Sequence, residues 1–84
     1  MVILDMSEPS KGILSALMVM GAQSPERAMS SEDLAVKLGM SIGVVESELK
    51  ALINAGYART AAGPGRLRVY LTGTGVITAS STYS

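Results

Sequence analysis

The sequence predicts a small α+β fold that is mainly helical, with three helices followed by a two-stranded hairpin in a single domain over residues 1–84. Two observations predict this order. Three stretches repeat apolar residues at helical spacing, and each is preceded by a serine and followed by a glycine. After Gly56, the glycine that ends the third stretch, apolar and polar residues alternate instead. This alternation lies on either side of a Gly-Pro-Gly sequence, which is typical of a hairpin.

The first helix is predicted at residues 7–21. Ser7 is suited to cap its start, Pro9 is favourable in a first turn, and Gly21 is suited to end it. The spacing of its apolar residues predicts a buried face made of Ile13, Leu14, Leu17 and Met20. Residues 22–29, with a proline and several charges, are predicted to form a loop.

The second helix is predicted at residues 30–38, because Ser30 and Asp33 stand at the spacing of a capping box. Its buried stripe consists of Leu34, Ala35 and Leu38. Gly39 then allows a sharp turn, since a glycine tolerates positive φ.

The third helix is predicted to begin after the cap residue Ser41 and to run to about Asn54. An amphipathic stripe on this helix consists of Val45, Leu49, Leu52 and Ile53. Gly56 ends the helix.

The hairpin is predicted from two strand-like runs, residues 57–61 and 66–72, with its tip in residues 62–65. Alternation in the second run places one set of residues on the inner face and another on the outer face. The inner set is Leu67, Val69 and Leu71, and the outer set is Arg66, Arg68 and Tyr70.

The sequence predicts different structures for the two ends of the chain. The apolar N-terminal segment, residues 1–6, is predicted either to form a strand or to pack on the first helix as a leader. Residues 73–84 are rich in Gly, Ser and Thr, so we expect a flexible tail without a helix. Because no later helix is expected for pairing, the apolar start of the chain predicts a homodimer through the N-terminal region.

Formal net charge is zero, but the charges are distributed unevenly. All seven carboxylates precede residue 49, whereas the remainder holds four bases and no acid. The four bases are Lys50, Arg59, Arg66 and Arg68. Such asymmetry is typical of a surface for an anionic partner, and it equally fits a hairpin solvated by arginines.

Residue types exclude several functions. The chain has no cysteine and no histidine, so no thiolate metal site is possible and the commonest general base is missing. The serines and threonines lack a base partner, so we predict no enzyme activity. No pattern for a cofactor, a metal or a small-molecule ligand can be read from the sequence, and we predict none. No apolar run approaches the roughly 20 residues of a membrane span, and a basic signal-peptide start is lacking. A cytoplasmic location is the simplest expectation.

Residues 31–59, SEDLAVKLGMSIGVVESELKALINAGYAR, resemble the helix-turn-helix and wing of MarR-like and ArsR-like transcription regulators. The segment VYLTGTG, residues 69–75, is similar to the exit from their wing. This resemblance implies a winged helix, which is a three-helix bundle with a helix-turn-helix followed by a β-hairpin wing. It further implies a partner, double-stranded DNA, with the third helix in the major groove and the wing on the backbone.

The DNA-contacting positions that this resemblance implies lie on two elements. The third helix would offer Ser41, Ile42, Gly43, Glu46, Ser47, Lys50 and Asn54, and the wing would offer Arg59, Arg66 and Arg68. Glu46 departs from the family pattern, since phosphates repel a carboxylate. An acidic helix face and zero net charge favour an alternative, a protein-interaction module within a larger assembly that does not bind DNA.

Overall fold

The computed structural model describes residues 8–61 and 67–83, with the side chains of all but the last two. Within these residues the helices are α1 (Glu8–Val19), α2 (Ser31–Leu38), α3 (Ile42–Asn54) and α4 (Gly73–Tyr83), with a 3-10 turn at Pro25–Arg27. The strands are β1 (Met29–Ser30), β2 (Ala58–Thr60) and β3 (Arg68–Leu71). The N-terminal segment, the predicted hairpin tip at residues 62–65 and Arg66 lie outside the described residues.

The predicted first helix is confirmed, with a correction at its end. Ile13, Leu14 and Leu17 are fully buried, as their spacing predicts. Met20 was predicted on the same buried face, and this is wrong because α1 ends at Val19. Met20 therefore lies in the turn and is 45% exposed.

The predicted helix-turn-helix is confirmed in its caps and in its turn. The Ser30 hydroxyl accepts a hydrogen bond from the backbone N–H of Asp33 at 3.0 Å, and Ser41 accepts one from Val44 at 3.2 Å. Each bond satisfies a backbone N–H group that the first turn of a helix leaves without a partner. Between the two helices Gly39 has φ of 66°, a left-handed conformation that a side chain would strain.

The strands form an antiparallel sheet in the order β1-β3-β2. The hairpin pairs Ala58 with Leu71 and Arg59 with Tyr70. Ala58, Val69 and Leu71 are buried, which confirms the predicted inner face at the latter two positions. Met29 was predicted as loop, and this is wrong, since it pairs with Val69 of β3 in strand β1. Ser30, predicted at the start of the second helix, caps α2 and also pairs with Arg68. A strand of two residues is too short to show an alternating pattern.

The largest correction concerns the end of the chain, where a tail without a helix was predicted. Residues 73–83 form α4, and Ala79 on it is fully buried. Thr72 caps this helix, since its hydroxyl accepts from the backbone N–H of Gly75 at 3.0 Å. The same hydroxyl donates to the carbonyl of Gly56 at 2.7 Å. Packing on the rest of the fold thus stabilises a helix whose Gly, Ser and Thr content argues against one.

The hydrophobic core lies between α1, α2, α3 and the inner face of the sheet, and α4 closes one side. Its largest fully buried apolar side chains are Ile13, Leu14, Leu17, Leu34, Val45, Leu49, Val69 and Leu71. This core leaves the opposite surface of α3 free to face outward.

Candidate nucleic-acid interface

Four of the predicted contact residues share one face of α3. Gly43, Ser47, Lys50 and Asn54 are spaced by four, three and four residues, which aligns them along a helix, and all four are exposed. Val44 lies beside them and is 43% exposed. We call Gly43, Val44, Ser47, Lys50 and Asn54 the α3 outer face. Ser41 is exposed at the start of the same helix.

Glu46 does not belong to the α3 outer face, although the sequence predicted it there. Its carboxylate Oε2 accepts a hydrogen bond from the hydroxyl of Ser31, at 3.0 Å. Ser31 is fully buried at the start of α2, and Glu46 is half-buried. The acid was misplaced because it stands next to the core residue Val45 and turns toward α2 rather than away from it.

Glu48, the other carboxylate of α3, turns toward α1. The hydroxyl of Ser10 donates to its Oε1 at 2.5 Å, and Ser10 is 5% exposed. Glu48 itself is half-buried. Both acids of α3 are therefore hydrogen-bonded to neighbouring helices, one on each side of the α3 outer face. Lys50 is the only charged residue of the α3 outer face.

Ile42 was also predicted to face outward, and the structure corrects this. It is half-buried and packs against the hydrophobic core. As the first residue of α3, it lies where the helix leaves the turn, and burial of its apolar side chain is favourable there. Val44 instead supplies the exposed apolar side chain. Sequence reasoning placed Val45 in the buried stripe but missed Val44, because an apolar side chain gives no indication that it belongs to a surface that contacts DNA.

The wing, formed by β2 and β3, carries two described arginines with different surroundings. Arg59 is exposed on β2, and its cross-strand partner is Tyr70. Arg68 is half-buried on β3, where its Nη2 donates to the carbonyl of Ala28 at 3.3 Å. Arg68 thereby connects β3 to the residue that precedes β1, whereas Arg59 is exposed to solvent. The predicted site residue Arg66 lies outside the described residues.

The described parts of the chain lack two other kinds of feature. Residues 8–61 and 67–83 hold no group of three or more acidic, histidine or cysteine side chains arranged to bind a metal ion. Among the same residues, no helix has the length and apolar character needed to cross a membrane.

No family model matches the sequence, and no curated protein matches it. The fold nevertheless matches solved structures closely. TubR from Bacillus megaterium pBM400 superposes with a TM-score of 0.86 at 20% identity, over 94% of this chain and 88% of TubR. MepR, a transcription regulator of the Staphylococcus aureus multidrug efflux pump MepA, gives 0.79 at 16% identity. NMB1585, a MarR family regulator from Neisseria meningitidis, gives 0.76 at 18% identity.

These likenesses show a winged-helix fold that resembles MarR-like regulators, as the sequence predicts. The chain is 94% covered in the superpositions on MepR and NMB1585, but it spans only 56% and 54% of those two proteins. At such identities the likeness establishes the fold, and function has to be argued from the surface.

Proposed function

We propose that this chain is a DNA-binding winged-helix protein, a small transcription regulator that places α3 in the major groove and its wing on the backbone. The α3 outer face has the chemistry that this role requires. Ser47 and Asn54 can exchange hydrogen bonds with base edges or phosphates, and Lys50 can neutralise a phosphate. Val44 offers an apolar contact of the kind that a thymine methyl group accepts.

The observation that carries the proposal is the position of the two carboxylates of α3. Glu46 bonds to Ser31 and Glu48 bonds to Ser10, so neither occupies the α3 outer face. An acidic helix face was one of two reasons to prefer a protein partner, and the other was the zero net charge. With the first reason removed, the face that would meet DNA presents one cation, two polar side chains, one apolar side chain and a glycine.

In the described part of the wing, the two arginines support the same function to different degrees. Arg59 is exposed and available to a phosphate. Arg68 has a backbone carbonyl partner in Ala28, so we assign it a structural role first. The likeness to MepR, a transcription regulator, and to NMB1585, a MarR family regulator, agrees with a regulatory role by analogy of fold.

Fluorescence anisotropy of a labelled duplex of random sequence tests the proposal. The titration is run at two salt concentrations with the wild-type chain. We expect binding that weakens as salt rises, because each phosphate contact releases counterions. An absence of binding at low salt would contradict the proposal and favour the protein-interaction alternative.

A further inference from the structure

The first two turns of α3 present three exposed residues that differ in what they can recognise. In a helix that lies in the major groove, the residues near its N-terminus contact the base edges. The exposed residues there are Gly43, Val44 and Ser47. Gly43 has no side chain, and a serine hydroxyl can bond to several different bases, so neither distinguishes one base pair strongly from another. Val44 is therefore the exposed side chain of these turns that can discriminate.

Side chains suited to a G·C pair do not face outward from the same two turns. Guanine is recognised by arginine or lysine, but α3 has no arginine, and Lys50 lies about 9 Å further along the helix than Val44 at 1.5 Å per residue. The amino group of cytosine is recognised by a carboxylate. Glu46 and Glu48 are the carboxylates of α3, and they accept hydrogen bonds from serines of α2 and α1 instead.

We propose, in an inference that rests on the DNA-binding function proposed above, that Val44 contacts the C5-methyl group of a thymine in the major groove. The chain thereby selects duplexes that have an A·T pair at the position of Val44. This methyl group is the apolar feature that marks thymine in the major groove. Val44 is 43% exposed, and contact with the methyl group removes apolar surface of both partners from water, which favours binding.

The two adjacent valines of α3 differ in what the fold provides for them. A β-branched side chain loses rotamer freedom in a helix, so valine forms helices less well than alanine. Val45 is fully buried, and its packing offsets that loss, whereas Val44 remains partly in solvent. The space beside it is open, since a Cβ on Gly43 would meet nothing within 4 Å. A base edge can therefore approach Val44 and supply the burial that the fold does not.

Uracil in place of thymine tests the proposal, because uracil pairs with adenine in the same way and lacks only the methyl group. Duplexes that the wild-type chain retains at low salt are selected from a random-sequence pool and sequenced. The best-bound duplex is then remade with uracil at each thymine in turn. Fluorescence anisotropy measures the affinity of each duplex for the wild type and for two variants, Val44→Ala and Val36→Ala.

Val36→Ala is the matched control, since Val36 is 82% exposed on α2 and the substitution removes the same two methyl groups away from α3. We expect uracil at one position to weaken wild-type binding about fourfold, which is the factor for burial of one methyl-sized group. Val44→Ala should bind the thymine and uracil duplexes equally, and Val36→Ala should discriminate as the wild type does. Alanine favours a helix, so Val44→Ala should remain folded, which urea unfolding checks.

The possible failures are distinguishable. Salt-dependent binding by the wild type with equal affinity for thymine and uracil at every position would overturn this inference and leave the DNA-binding function standing. Discrimination that persists in Val44→Ala would overturn the assignment to Val44. If the wild type retains no duplex at low salt, the DNA-binding function is itself wrong and this inference falls with it.

Discussion

Ser31 and Glu46 connect the two helices of the helix-turn-helix, since the hydroxyl of Ser31 at the start of α2 donates to the carboxylate of Glu46 in α3 at 3.0 Å. Ser31 is fully buried. The bond therefore has two consequences. It satisfies a polar group inside the fold, and it holds a negative charge away from the surface that we propose to meet DNA.

Removing this acceptor should destabilise the protein. Glu46→Ala leaves the buried hydroxyl of Ser31 without its acceptor, which costs about 1–3 kcal/mol of unfolding free energy. Glu46→Gln keeps an oxygen that can accept the bond, so its cost should be clearly smaller. Urea unfolding of the two variants and the wild type measures both. Equal stability of the two variants would show that the hydrogen bond is not what matters at this position.

Gly75 in α4 should not tolerate a side chain. A Cβ there would lie 1.9 Å from the carbonyl oxygen of Tyr57, so backbone would have to move. We expect Gly75→Ala to lower the unfolding free energy by about 1–3 kcal/mol, in the range of other overpacked sites. Gly73→Ala is the matched control, since a Cβ at Gly73 would meet nothing within 4 Å. Thermal denaturation of both variants tests this, and a Gly75→Ala protein as stable as the control would refute the close packing of α4.

Leu49 is fully buried in α3, as its position in the predicted stripe requires. Leu49→Ala should cost about 2–5 kcal/mol through lost burial and the cavity left behind. The neighbouring exposed substitution Lys50→Ala should change stability by no more than about 0.5 kcal/mol. Chemical denaturation compares the two. Similar midpoints would mean that the buried face of α3 had been assigned wrongly.

Strong local signals made much of the fold predictable. Ser30 and Ser41 indicate where two helices begin, and Gly39 indicates the turn between them. The alternation at Val69 and Leu71 indicates a strand. Each of these features depends on residues close together in the chain. Sequence reasoning therefore identified three helices, the hairpin and the family resemblance.

Features that depend on distant contacts were missed. Helix α4 consists largely of weak helix formers and is stabilised by packing and by the Thr72 hydroxyl. This hydroxyl donates to the carbonyl of Gly56 and accepts from the backbone N–H of Gly75. Strand β1 exists only because Met29 and Ser30 pair with β3. The positions of Glu46 and Glu48 depend on serines fifteen and thirty-eight residues away, so no local pattern reveals them.

The central claim, that the α3 outer face and the wing bind DNA, is tested most directly by the salt dependence of duplex binding in three variants. Lys50→Ala and Arg59→Ala each remove one proposed phosphate contact. Lys11→Ala is the control, because it removes the same charge from α1, where Lys11 lies 3.6 Å from Glu8.

At most four basic residues of the wild-type chain can contact phosphates, and each contact contributes about −0.9 to the slope of log affinity against log salt. The wild-type slope should therefore be no steeper than about −3.6. The four residues are Lys50, Arg59, Arg66 and Arg68. Lys50→Ala and Arg59→Ala should each flatten this slope by about 0.9, and Lys11→Ala should leave it unchanged. A Lys50→Ala variant that binds with the wild-type affinity and slope would contradict the placement of α3 on DNA.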